Sequence, residues 1–149
     1  MDTKKILANF QFLNNKVIDY GMQNNLIDTK KKPIRVGFDM DYEVVRCDET
    51  KEGYFGAIDF VLDIKGDVED LEVFKIHLKM RGNFIGSKES HEIDKFQEML
   101  EVNGTATLSQ ICRAFLTSVS SLSGIPTIVL PMVNIYEMKK YKQEGELAK

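Results

Sequence analysis

From Ile34 onward the apolar residues of this chain fall on every second position: Ile34, Val36, Phe38, Met40, Tyr42 and Val44, with Arg35, Asp39, Asp41 and Glu43 between them. That period fits a strand with one buried and one wet face. After a polar turn at Glu49–Gly53, a second strand sets Ile58, Phe60, Leu62 and Ile64 against Asp59 and Asp63. A third, beyond Lys65-Gly66-Asp67, carries Phe74, Ile76, Leu78 and Met80 inward and Lys75, His77, Lys79 and Arg81 outward. Short polar links between the three predict an antiparallel meander. The wet residues are acidic on the first two strands and basic on the third. Cross-strand ion pairs are therefore expected, each worth ~0.2–1 kcal/mol.

Upstream, Phe10-Gln11-Phe12 alternates, Asn14-Asn15 interrupts, and Val17, Ile18 and Tyr20 resume. This predicts a fourth strand with a bulge at the asparagines, then a loop over 21–33. After Gly86 the period becomes helical. Ile93, Phe96, Met99 and Leu100 form a first helix, with Ser90 as its cap and Asn103-Gly104 as its stop. A second helix over 105–123 opens on Thr107-Leu108-Ser109-Gln110, a capping-box pattern, and carries the stripe Leu108, Ile111, Cys112, Phe115, Val119 and Leu122. Thr127–Ile135 is apolar throughout and holds Pro131, so it reads as an extended crossover. A short helix over Ile135–Gln143 and a frayed tail complete the chain. The expected fold is α+β: one domain over 1–149, with 1–9 and 144–149 flexible. Its four-stranded antiparallel sheet is a meander with Greek-key-like order. A long helix packs on one face, and a short helix follows at the C-terminus.

Chemistry is sparse. A net charge of −3 disfavours broad affinity for nucleic acid or acidic membranes. No apolar run approaches the ~20 residues of a membrane span, and Met1–Asn9 lacks a secretory stretch. Two cysteines make no disulfide framework, so a cytoplasmic protein is expected. His77 and His91 read as surface residues, Cys112 as a buried inert thiol, and Asp39, Asp41, Glu43, Asp59 and Asp63 as a solvated face. Ser118, Ser120, Ser121 and Ser123 cluster without a nucleophile elbow, which suits close helix packing. Gly53-Tyr54-Phe55-Gly56 looks superficially like an RNA-binding strand but lacks a basic platform. The glycines form no phosphate loop. No catalytic residue, metal or cofactor is expected.

What stands out is apolar surface in excess of what one helix can cover. Ile125–Ile135 is left over. It either packs on its own sheet as a crossover or roofs a groove for extended apolar peptide, and the two are compatible. Seven methionines and nine phenylalanines suit an adaptable apolar surface.

Three stretches carry a resemblance. Phe96-x-x-Met99-Leu100-x-Val102-Asn103-Gly104 is followed by Arg113-Ala114-Phe115-x-x-Ser118. Then comes Ser123-Gly124-Ile125-Pro126-x-Ile128-x-Leu130-Pro131-x-Val133-Asn134-Ile135. In this order, and with Arg81-Gly82-Asn83-Phe84 upstream, the chain resembles the SecB family of protein-export chaperones over roughly residues 10–143. The resemblance implies a homotetramer, a dimer of dimers, that holds unfolded client polypeptides without ATP. Ile128, Leu130, Met132, Val133 and Ile135 would roof the peptide groove, and Ile34, Val36 and Phe38 would floor it. Helix 105–123 would carry subunit contacts through Leu108, Ile111, Phe115, Val119 and Leu122. Partners would be an export motor or a toxin–antitoxin pair. Export-dedicated members present an acidic sheet face to the motor. Here Lys75, His77, Lys79 and Arg81 join that face, and Glu137–Lys149 holds four lysines against three glutamates.

Two rival readings remain. A small-ligand-binding or hotdog-like thioesterase domain would need an enclosed pocket with a convergent acid or base. A scaffolding oligomer would show the same assembly without affinity for peptide.

Overall fold

The structure is a computed structural model, and it describes residues 8–147. The flexibility expected of 1–7 and 148–149 lies outside the described residues. Four strands, β1 (Phe10–Asn24), β2 (Arg35–Glu49), β3 (Tyr54–Val68) and β4 (Leu71–Gly86), form one antiparallel sheet in the order β1-β4-β3-β2. β2, β3 and β4 are the expected meander. β1 returns beside β4, which gives the Greek-key-like order. Its register shifts between Phe12 and Asn14, at the expected bulge, and again between Val17 and Asp19. The second shift went unread because Ile18 looked like an ordinary strand residue. β1 also continues to Asn24, so the expected loop over 21–33 begins later than predicted.

The register stacks the alternating residues into cross-strand rows. Phe38, Ile64, Ile76 and Met22 make one; Met40, Leu62, Leu78 and Tyr20 the next; Tyr42, Phe60, Met80 and Val17 a third. The central members on β3 and β4 are fully buried, while those on the edge strands are mostly half-covered or exposed.

The helical region departs from expectation. Asn103-Gly104 is not a stop. α1 (Ile93–Met99), a π-helical turn (Leu100–Gly104) and α2 (Thr105–Ser121) run as one continuous rod. Gly104 has ordinary helical angles, and the Thr107 hydroxyl donates to the Asn103 carbonyl one turn back instead of capping a new helix. Glu92, not Ser90, occupies the N-cap, without a side-chain hydrogen bond.

Gly104 serves close approach, since a Cβ there would lie 3.3 Å from the Phe84 ring. The sheet answers with glycines of its own. A Cβ on Gly86 would lie 2.5 Å from Phe96, on Gly56 2.6 Å from Leu100, and on Gly82 2.8 Å from Leu108. Phe96, Leu100, Gly104 and Leu108 are spaced by four. In a pure α-helix such positions drift by about 40° per step, which the wider π turn offsets. After Ser121 the chain turns and runs irregularly to α3 (Ile135–Leu147), which extends past the expected end at Gln143.

Filling a glycine gap under the rod should act by overpacking. Gly56→Val and Gly82→Val are each expected to cost about 1–3 kcal/mol in urea unfolding. Gly21→Ala, where a Cβ meets nothing within 4 Å, should stay within about 0.5 kcal/mol.

Candidate functional site

The crossover is half anchored and half free. The Ile128 N–H donates to the Ser120 hydroxyl at 2.8 Å, and the Thr117 hydroxyl donates to the Ile128 carbonyl at 3.2 Å. The Ser120 hydroxyl also donates to the Leu116 carbonyl at 2.6 Å. So at least one member of the serine cluster fastens α2 to its neighbour and is no nucleophile. Ile125, Ile128, Leu130 and Ile135 are buried, Leu130 to 1% exposure. Met132 is 84% exposed, Val129 about half, and Val133 intermediate. At one end Ile125 and Pro126 share an open recess of about 400 Å³ with Ile27, Ile34 and Val73. At the other, Lys142 of α3 reaches the Asp41 carboxylate at 3.1 Å and lies over the Tyr42 ring. The crossover therefore passes along the β2 side of the core face.

Ile34, Val36 and Phe38 are each half-buried and pack against the core from this margin. On α2, Leu108 is fully buried in its glycine seat. Ile111, Phe115 and Val119 are half-buried, with Phe115 edge-on to Tyr20 of β1, and Leu122 is 87% exposed. β1 leaves Leu13, Val17 and Ile18 exposed along the opposite sheet edge.

The outer face carries the expected cross-strand pairs, with one correction. Asp59 is not a solvated carboxylate: it is 1% exposed. Arg81 grips it with two hydrogen bonds of 2.7 and 2.9 Å, and Lys79 stands 3.7 Å away. The hydrogen bond to Asp59 raises the Arg81 value further. His77 bridges Asp63 at 2.7 Å and Asp19 at 3.4 Å. His91 is also no bland surface residue. Its ring stacks near Tyr54 and Phe96, and its backbone carbonyl accepts the Tyr54 hydroxyl. Tyr54 and Gly56 are thus spoken for by packing, the one under His91, the other under Leu100.

Where α3, β2 and the π turn meet, an open trough of about 550 Å³ is lined by Asp41, Tyr42, Glu43, Glu101, Lys142 and Glu146. The Tyr42 hydroxyl donates to Glu101, and burial followed by that carboxylate's charge pushes the phenol up.

No known family profile matches the chain. It is 26% identical over 116 residues to an uncharacterized protein of Methanocaldococcus jannaschii, covering 76% of this chain and 72% of that one. Its structure superposes on Rv1957, a SecB-like chaperone of Mycobacterium tuberculosis solved in complex with a ChAD peptide from the HigA1 antitoxin. The TM-score is 0.70 at 9% identity, over 85% of this chain and 91% of that one. A protein of unknown function from Streptococcus agalactiae, 16% identical, aligns over 82% of this chain and 96% of its own with a TM-score of 0.43. The fold is SecB-like, as the sequence resemblance implied. No helix among the described residues is long and apolar enough to cross a membrane.

The two halves of the crossover should separate in mutation. Leu130→Ala is expected to cost about 2–5 kcal/mol, and Met132→Ala less than about 0.5 kcal/mol, by urea unfolding. Burial pushes the Cys112 thiol up to about 12. The neutral thiol's contribution to stability is intact below its ordinary value of 9.0 and is lost as pH rises toward about 12. Thiol reagents at pH 8 should label Cys112 only after unfolding, whereas half-buried Cys47 should label slowly in the native protein.

Proposed function

We propose that this protein is an ATP-independent holdase that binds unfolded or non-native polypeptide in an apolar groove between the β2 margin and the crossover. It would act in the cytoplasm, in protein export or as the dedicated chaperone of an antitoxin. The observation that carries the reading is the half-buried row Ile34, Val36 and Phe38. Apolar side chains at this margin keep area in reserve, and each Å² that a client covers is worth about 25 cal/mol. Many shallow contacts along an extended chain suit low sequence specificity, and the open recesses suit it better than they suit a thioesterase chamber. The fold shared with a chaperone that holds an antitoxin peptide is further support.

In this reading Ile34, Val36 and Phe38 floor the groove, and Met132 and Val133 supply contact from the crossover. Ile128, Leu130 and Ile135 roof it by anchoring the strip from within. Chemistry on the client needs no catalytic group and no cofactor. The exposed side chains of β1 and the flank of α2 (Ile111, Phe115, Val119 and Leu122, rooted by Leu108) suit a homotetramer built as a dimer of dimers.

At stoichiometric tetramer the protein should suppress aggregation of a chemically unfolded client diluted from guanidinium. Phe38→Asp should weaken client affinity about tenfold, near 1.4 kcal/mol, with native mass and melting behaviour retained. Wild-type protein that leaves aggregation unchanged would remove the proposal.

A further inference from the structure

We infer that the outer face of the sheet holds a small aromatic carboxylate in the hollow over Gly37. The site lies on the face of β2 turned away from the core and does not depend on the holdase reading.

Glycine inside a strand weakens it and is kept where the strand bulges or where something must approach the backbone. The other strand glycines have such reasons. Gly56, Gly82 and Gly86 seat the rod, and a Cβ on Gly66 would lie 2.2 Å from the Phe74 ring. Gly21 follows the two register shifts of β1. Gly37 has neither reason. β2 runs without a shift from Arg35 to Val44, and a Cβ on Gly37 would meet nothing within 4 Å. Above it lies an open recess of about 550 Å³, lined in part by Arg35, Gly37, Phe38, Asp39, Lys65 and Lys75.

The register gives the recess its chemistry. On this face Arg35, Gly37 and Asp39 stand opposite Asp67, Lys65 and Asp63 of β3, and these opposite Glu72, Lys75 and His77 of β4. Part of the charge is answered locally. Lys65 lies 3.7 Å from Asp67, His77 holds Asp63, and the Asn25 amide donates to the Glu72 carboxylate at 3.4 Å. Arg35, Lys75 and Asp39 form no ion pair among the described residues. Lys65 and Lys75 face each other as like charges, an arrangement that an anion between them relieves. The stems of Arg35, Lys65 and Lys75 stand around a strip of bare backbone, and the slot they leave is lined more by carbon than by polar atoms. A planar ring suits such a slot, with cationic groups over its face. Arg46 already lies over the Phe55 ring at 4.8 Å on the same side of the sheet. Arg35 and Asp39 flank the slot along the strand, their Cα atoms about 13 Å apart. A carboxylate on the ring therefore meets Arg35, Lys65 and Lys75, and a hydrogen-bond donor at the other end of the ring meets Asp39. The ligand class is an aromatic monocarboxylate with a phenolic donor opposite the acid.

The test titrates the full chain in its native assembly with 4-hydroxyphenylacetate, read by calorimetry and by amide NMR shifts. Saturable binding is expected at one site per chain, with the largest shifts at Gly37, Lys65 and Lys75. 4-Hydroxyphenylacetamide, which lacks the charge, should bind at least about tenfold more weakly, and phenylacetate, which lacks the donor, about threefold more weakly. Asp39→Ala should erase the advantage of the phenol over phenylacetate. Gly37→Leu fills the slot and should weaken the acid at least about tenfold, with melting and suppression of client aggregation unchanged. If that variant does not fold, Arg35→Gln combined with Lys75→Gln decides by the same comparison. The site is overturned by absence of saturable binding, by shifts confined to the core-face row Ile34, Val36 and Met40, or by displacement of the acid by unfolded client. Undiminished binding to a natively folded slot variant overturns it as well. None of these results touches the holdase reading, which stands or falls on client aggregation.

Discussion

The contact between rod and sheet decides where everything else can go. Phe96, Leu100 and Leu108 drop into gaps left by Gly86, Gly56 and Gly82, and Gly104 returns the courtesy to Phe84. Side chains seated this deeply fix the rod over β3 and β4 at one end, and Phe115 meets Tyr20 of β1 further along. A single helix so placed cannot also cover β2. The apolar residues of that strand must then be covered by something less regular, and the crossover and α3 do so only in part. The partial burial of Ile34, Val36 and Phe38 follows from the geometry of the glycine seats.

Helix spacing and sheet spacing do not match by default. Seats presented by a flat row of strands call for residues that stay in line, whereas an α-helix rotates its fourth neighbour away. The π turn at Leu100–Gly104 absorbs the difference at the point where Gly104 approaches Phe84 and Ile58. The same turn holds Glu101 against the Tyr42 hydroxyl, which ties the rod to β2. One local irregularity thus serves both the core and the margin beside it.

This explains why some of the molecule was legible in the sequence and some was not. Ile58 through Met80 alternate because both neighbours of each strand are strands, and alternation is a local signal. The outer pairs Asp59–Arg81 and Asp63–His77 were legible as opposite signs on adjacent strands. The burial of Asp59 was not, because it depends on how closely Arg81 and Lys79 fold over it. Asn103-Gly104 misled because glycine after asparagine is a helix stop when the chain must turn left, and Gly104 is needed here only for its missing Cβ. At the candidate site, the crossover could be recognised as extended from Pro126 and Pro131. Which of its residues face inward could not, because that phase is set by the hydroxyls of Thr117 and Ser120, eleven and eight residues before Ile128.

The charges on the outer face complete the division of labour between the strands. Across β3, β4 and β1 carboxylates meet basic side chains: Asp59 the cations Arg81 and Lys79, and Asp63 and Asp19 the His77 ring nitrogens. Pairing of this kind spends the charge internally and leaves little field for a partner. β2 has no such neighbour on its open side. Asp41 is engaged by Lys142 from α3, whereas Asp39 shares an open recess with Arg35, Lys65 and Lys75, and neither Asp39 nor Glu43 forms an ion pair among the described residues. The half-covered apolar row and the exposed carboxylates Asp39 and Glu43 therefore occur on the two faces of one edge strand. That coincidence separates β2 from β1. β1 also exposes apolar residues, but its edge is interrupted twice.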